Sequence, residues 1–459
     1  MDPIQYAMDC VNNSRRVAEK CPYRPIYHFL SPANWMNDPN GTIFINGEYH
    51  LFYQHNPFKP KWNHIHWGHA KSKDLIHWEH LPLALAPSIE KGEKYCFSGC
   101  CVNDNECPTI IYTKIGKLRE ILHGAEQWMA TSDIQMIQWK KFFGNPIMDD
   151  SLHGNLKVWH WRDPYVWKEG DEWYCVLGGH FRWKRRGCIF LYKSRDLRMW
   201  EYLGVLYQGN KSQGWNFECP NFFQLNNKYI LIISPHGKVI YGIGSYLNRK
   251  FFPEEWHLMD HSKQYYATNT LIDEKGRIIL FGFIRVRGRG WTNCISLPRI
   301  LSLDKKAQLC IKPLPELQIL RQKFTRWQEM KIQETTEIEL LPKFGGSLEI
   351  ICKFDVKVDV IFYLKIGKEK KDKIFEFNTA NAIISLGKEK GSLSRVKDDS
   401  SLIFHIYLDK SVIEVFVNNK ECITGHFYPK IISCPLVIGS EKGEININSL
   451  EIWNLKSIW

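Results

Sequence analysis

Along the first two thirds of the chain, short runs alternate between apolar and polar positions with a period of two: EYHLFYQ from Glu48, EWYCVLGG from Glu172 and KYILIIS from Lys228. Each is rich in aromatic and β-branched residues and bounded by Gly, Asn or Asp, the pattern of a half-buried strand rather than a helix. A second series follows nearer the C-terminus: SLEIICKF from Ser347, DVIFYLKI from Asp359, LIFHIYL from Leu402 and VIEVFVNN from Val412. Its Lys, Asp, Asn and Gly turns predict a sandwich of two sheets. Between the two series, Pro313-Leu314-Pro315-Glu316-Leu317 and a polar stretch to about Glu337 read as a partly helical connector.

The first series is periodic. AKSKDLIHW, ATSDIQMIQW and YKSRDLRMW end at Trp78, Trp139 and Trp200, so these tryptophans are 61 residues apart both times. A repeat of about 60 residues with four short strands suits a propeller blade. Phe97-Ser98-Gly99 opens a second unit and Tyr266 lies near the opening of a fifth, placing five blades between about Arg24 and Asp304. A chain of 459 residues also exceeds what one core usually fills. The expected architecture is all-β, a five-bladed β-propeller followed by a C-terminal β-sandwich. The expected segments are a helical N-terminal extension at 1–23, the propeller at 24–312, a linker at 313–336 and the sandwich at 337–459.

Three acidic motifs ending in proline fall on the same period: Asn37-Asp38-Pro39, Arg162-Asp163-Pro164 and Glu218-Cys219-Pro220. Asp38 and Asp163 are 125 residues apart and Asp163 and Glu218 are 55, which places them in the first, third and fourth units. Corresponding positions of different blades converge at one end of a propeller, so the sequence separation is no obstacle to one site. An Asp before Pro often only organises a turn. Three acids in register instead suggest the paired carboxylates of glycoside cleavage, with a third to hold sugar hydroxyls.

NWMNDPNG at Asn34, YQHNP at Tyr53, HWGHAKSKDLIHW at His66, FSG at Phe97, WRDP at Trp161, ECP at Glu218 and SLPR at Ser296 resemble, in order, the motifs of glycoside hydrolase family 32, the β-fructofuranosidases. The resemblance runs from about Tyr23 to the C-terminus, and IYLDKSVIEVFVNN, around Asp409 and Glu414, is similar to the signature of that family's sandwich domain. It implies a retaining enzyme releasing terminal β-fructose from sucrose or sucrose 6-phosphate, with Asp38 as nucleophile, Glu218 as acid/base and Asp163 stabilising through the fructose hydroxyls. In this scheme Asp38 is ionised, Arg162 orients Asp163, and neighbouring carboxylates with partial burial raise the pKa of Glu218. Asn37, Gln54 and Ser98 resemble the family's other sugar-contacting positions, and Trp35, Trp62, Phe97 and Trp291 are candidate apolar walls. Exo-action on inulin or levan and fructosyl transfer would use the same acids. A non-catalytic sugar-binding propeller would be expected to lose Asp38 or Glu218, and both are present. Many relatives have an acidic residue before the FYA-like segment, where this chain reads Lys263-Gln264-Tyr265-Tyr266-Ala267.

The net charge of +12 is carried partly by runs such as Lys368–Lys373, most simply solvated turns, and no nucleic-acid motif accompanies them. Arg182-Trp183-Lys184-Arg185-Arg186 stands apart, because a loop at the mouth of the funnel could meet a substrate phosphate. The 14 cysteines are scattered, and the dense group Cys96, Cys100, Cys101 and Cys107 lacks paired CxxC spacing, which favours buried thiols over zinc. The histidines from His55 to His80 lie among aromatics, as packed strand residues do. No cofactor or metal is expected, since two carboxylates and water suffice. No stretch reaches transmembrane length and the N-terminus has no signal-peptide pattern, so the expected protein is cytoplasmic, with no membrane or nucleic-acid partner and a small sugar as substrate.

Overall fold

A computed structural model describes residues 2–356, 359–396, 399–429 and 433–459. Among the described residues the protein is all-β apart from short 3₁₀ turns and one helix, Pro3–Glu19. Asp2 caps that helix by accepting from the backbone N–H groups of Ile4 and Gln5, Pro3 occupies the first turn, and Ala7, Val11 and Ala18 form its buried stripe. The close approach of Ala18 requires Gly290, where an added Cβ would lie 2.8 Å from the helix backbone.

Residues 34–313 fold as successive antiparallel meanders. Three are separate four-stranded sheets, running from Tyr95 to Lys141, from Val158 to Gln208 and from Glu218 to Leu258. Strands between Asn34 and Leu85 and between Tyr265 and Pro313 share a nine-stranded sheet, joined by a short parallel pairing of Asn34 with Trp291 and Trp35 with Thr292. The tryptophan repeat marks one recurring turn. Trp78, Trp139 and Trp200 each begin the fourth strand of a meander, and each indole N–H donates to the carbonyl three residues earlier, on Leu75, Met136 and Leu197. Those three residues have positive φ, and Asp74, Asp133 and Asp196 accept backbone N–H groups within the turn.

Residues 321–455 form two six-stranded sheets whose inner faces share one apolar cluster, including Ile350, Phe362, Phe404 and Ile438. The connector expected at 313–336 is not a linker: after a 3₁₀ turn at Pro315–Leu320, Arg321–Ile332 is a strand paired with Ile445–Leu455. It lies at the edge of its sheet with most side chains in solvent, so charged residues occupy positions that would be apolar in a central strand.

The two β units are locked by a buried ionic network. Arg299 of the SLPR motif donates to Asp260 (3.0 Å), Glu414 (2.6 Å) and Thr424 (2.8 Å), and its guanidinium lies 4.0 Å from the Tyr265 ring centre. His28 bridges Asp409 (2.9 Å) and Glu414 (3.1 Å), while Asp409 also accepts the backbone N–H groups of Ile26, Tyr27 and His28. Burial disfavours charge on His28, but the two carboxylates outweigh it and raise its pKa to about 9.

Breaking a buried pair leaves its partner uncompensated, so Arg299→Leu is expected to cost about 3–5 kcal/mol in denaturation experiments. A loss below about 1 kcal/mol would remove the network from the account of how the units are held. The raised pKa of His28 contributes stability that is full below its unfolded pKa of about 6.5 and is lost as the pH rises through about 9. Stability should therefore fall between pH 7 and 9, and His28→Gln should flatten that part of the curve.

Candidate active site

The motifs sit where strand pairing is interrupted. Each meander's first strand breaks register with its neighbour at a motif: between Met36 and Pro39, Cys96 and Gly99, Arg162 and Tyr165, Glu218 and Asn221, and Tyr266 and Asn269. Proline cannot donate to a ladder, and a bulge redirects the neighbouring side chains, so Asp-Pro and Cys-Pro are suited to these positions. Asp163, Cys219 and Ala267 take positive φ there (63°, 46° and 48°), a conformation uncommon for residues other than glycine.

The bulges bring the three acids together around Cys219. Its thiol lies 3.6 Å from Asp38 Oδ2 and 3.6 Å from Asp163 Oδ2, and its backbone N–H donates to Asp163 Oδ2 at 3.0 Å. Asp38 is held by neutral donors: Asn37 on one oxygen (2.8 Å) and Ser98 on the other (2.5 Å), with Gln54 at 3.5 Å. Gln54 also donates to Ser98 (2.6 Å) and accepts from Asn37 (2.9 Å), and the Trp35 indole N–H fixes Asn37 (2.7 Å). Glu218 is held by ionisable groups instead. Arg162 pairs with Oε1, His236 Nε2 is 3.5 Å from the same oxygen, and the Tyr266 hydroxyl donates to Oε2 at 2.6 Å.

These neighbours separate the acids electrostatically. Burial raises the pKa of Asp38, with the charge of Glu218 adding to it and the Ser98 and Asn37 hydrogen bonds opposing. Burial also lifts Asp163, and although Arg162 opposes it, Glu218 and Asp38 add to the rise, which reaches about 7. Glu218 moves the other way from expectation. Burial pushes it up, but Arg162, His236 and the Tyr266 hydrogen bond together hold it below the ordinary glutamate value. The reason is the placement of Arg162: its terminal nitrogen pairs with Glu218, whereas its Nε is 3.9 Å from Asp163.

Trp62 and Phe97 meet edge to face at 6.2 Å beside Ser98, with Trp62 stacked on Tyr95 and 40% exposed. Trp291 is not brought to this wall. It is 1% exposed, its strand lies against Asn34, and its indole occupies space left by Gly288, so it belongs to the core. His236, Tyr266 and His160, which is 3.0 Å from Arg162, are the neighbours that the motifs did not single out. His236 had no sequence signal; Tyr266 was visible as the opening of a repeat and within the FYA-like segment, with no role attached. The Arg182–Arg186 cluster forms an exposed hairpin tip, with Arg182 over Trp159 and Trp183 and Arg185 over Trp215, which stacks on His236. Among the described residues, no group of three or more His, Cys, Asp or Glu could hold a metal ion, all 14 cysteines are free, and no helix is long and apolar enough to cross a membrane.

Similarity to known proteins agrees with this geometry. Residues 28–313 match the glycosyl hydrolases family 32 N-terminal domain and residues 316–454 the family's C-terminal domain. Sucrose-6-phosphate hydrolase of Zymomonas mobilis is 31% identical over 94% of this chain and 92% of its own. A β-fructofuranosidase variant of Bombyx mori solved with sucrose superposes with a TM-score of 0.83 at 26% identity, covering 99% of this chain and 98% of that one. The fold of sucrose-6-phosphate hydrolase from Lactobacillus gasseri is also similar, with a TM-score of 0.86 at 24% identity over 98% of this chain and 97% of that one. With both family domains matched in order across nearly its whole length, the chain belongs to glycosyl hydrolases family 32.

Proposed function

We propose that this glycoside hydrolase is a retaining β-fructofuranosidase acting on sucrose or sucrose 6-phosphate. The observation that carries the reading is the convergence of the motif acids Asp38, Asp163 and Glu218 on one site around Cys219, while the assignment of nucleophile and acid follows the motif each belongs to; Asp38 is held by neutral donors and Glu218 by an arginine, a histidine and a tyrosine. Two carboxylates in unlike environments can take unlike roles. Asp38 attacks the anomeric carbon as the glycosidic bond breaks, and Glu218 gives its proton to the leaving oxygen. Water then adds to the fructosyl ester, returning a proton to Glu218 and releasing Asp38.

Because Arg162 holds Glu218 charged in the free site, Glu218 takes up a proton from solvent before it acts as the acid, and the bound sugar favours that uptake by displacing Arg162 from one carboxylate oxygen. Burial, the largest influence on Glu218, then favours the acid form. Asp163 accepts from the fructose hydroxyls, Asn37, Gln54 and Ser98 orient Asp38 and contact the sugar, and Trp35, Trp62 and Phe97 wall the ring. Sucrose-6-phosphate hydrolases among the relatives and the sucrose complex of the Bombyx mori protein support this substrate class. Exo-cleavage of fructans is the second reading, supported by a relative named levanase that is 30% identical.

The site requires closure of the five meanders into a five-bladed propeller. Supporting it, their first strands are neighbours in cyclic order, with Tyr265–Ile272 returning beside Asn34–Ile45. On this reading residues 24–312 are the catalytic unit and 337–459 the sandwich, with 321–332 completing one of its sheets. Fourteen free thiols support a cytoplasmic location. Non-reducing mass spectrometry should find them alkylatable after unfolding, and a full set of disulfides would overturn that placement.

Asp38→Ala and Glu218→Ala should each remain folded and lose turnover by at least ~10²–10⁴-fold. Azide should rescue Glu218→Ala on a substrate whose leaving group needs no proton. Near-normal turnover in either folded variant would refute the assignment. Retention means that early NMR spectra show β-fructose before mutarotation; an initial excess of the α-anomer would exclude double displacement.

A further inference from the structure

A cleft of about 540 Å³ lies between Trp35 and Asn37, beside Asp38, and the sandwich. Trp35 and Asn37 line its catalytic end, Arg285 and Arg287 its middle, and His426 and Tyr428 of the sandwich its far wall. Among the described residues no carboxylate lines it. The Arg285 guanidinium lies 4.6 Å from the ring centre of Tyr266, the residue whose hydroxyl donates to Glu218. One of its nitrogens donates to the Lys263 carbonyl, and among the described residues it has no ion pair. Nearby, Gln264 and the Lys263 backbone are already engaged by Glu389 of the sandwich.

An arginine that is half-buried, fixed on an aromatic face and without a carboxylate partner is prepared for an anion. Its place is the side of the site where the acid hands its proton to the departing sugar. The Arg182–Arg186 tip also places arginines over Trp159, Trp183 and Trp215, but it is exposed and does not line the cleft.

We propose that Arg285, with Arg287 and His426 behind it, receives a phosphate monoester carried by the leaving sugar, so that the cleft selects phosphorylated over neutral β-fructosides. This rests on the acid/base role assigned to Glu218, and Arg285 acts as a specificity residue rather than a catalytic one.

The test compares kcat/KM for sucrose 6-phosphate and sucrose. The wild-type enzyme should prefer the phosphorylated substrate by at least about 10-fold, and Arg285→Gln should reduce that ratio by about 10- to 100-fold, the range for a lost charge-assisted contact. The loss should fall mainly on KM, since the phosphate contact is the same in ground and transition states. Arg285→Lys should recover part of the ratio, and Arg185→Gln at the hairpin tip should leave it in place. If Arg285→Gln does not fold, Arg287→Gln supplies the same readout on an exposed residue, with a smaller decrease in the ratio expected and an unchanged ratio counting against the proposal. Equal use of both substrates by the wild type, or a ratio that responds to Arg185→Gln but not to Arg285→Gln, would overturn the inference while leaving fructoside hydrolysis intact. Failure to cleave any fructoside would instead remove the functional reading beneath it.

Discussion

A carboxylate on a regular strand stands on one face of its sheet, and here it is interruption of the ladder that turns three acids from strands far apart in sequence toward one site. That interruption is the constraint on which the site depends. Register breaks at Met36–Pro39, Arg162–Tyr165 and Glu218–Asn221 turn Asp38, Asp163 and Glu218 toward one another, and equivalent breaks at Cys96–Gly99 and Tyr266–Asn269 deliver Ser98 and Tyr266 to the same place. The cost is unpaired backbone and positive φ at Asp163, Cys219 and Ala267. Such conformations persist only where the surrounding sheets determine them.

The same convergence has an electrostatic cost. Asp163 reaches a pKa of about 7, which means that the fold disfavours its ionised form. A group raised in this way weakens the folded state as the pH climbs from its unfolded value toward 7, by a few kcal/mol for about three units. Arg162 relieves the crowding but pairs with Glu218 more closely than with Asp163. The site thus keeps one carboxylate firmly charged and two reluctant to ionise, an arrangement that a bound sugar would rebalance by supplying hydroxyl donors and displacing Arg162.

The repeat and the three acids were legible in the sequence because each depends on local turn chemistry, whereas Gln54 and Ser98, which reach Asp38 from other strands, were indicated by the family resemblance alone. Asp74, Leu75 and Trp78 make one turn within five residues, and the proline motifs make a bulge within three or four. What was not legible depends on partners distant in sequence. Trp291 reads like other aromatics near a family motif, yet its burial follows from the pairing of its strand with Asn34. The lowered pKa of Glu218 follows from Arg162, His236 and Tyr266, which lie on three other segments. Arg321–Ile332 looks like a connector because an edge strand need not alternate cleanly.

The sandwich enters this chemistry through two contacts of different character. Glu414 and Asp409 close on Arg299 and His28, so the rigidity that holds the bulged strands is partly supplied from the second unit. His426 and Tyr428 form the far wall of the cleft beside Arg285. The C-terminal unit is therefore coupled to the site both as a brace and as a boundary. Because the network ties Thr424, two residues before His426, to Asp260 and Arg299, a change buried at Arg299 acts on the wall of the cleft without touching any of the three acids.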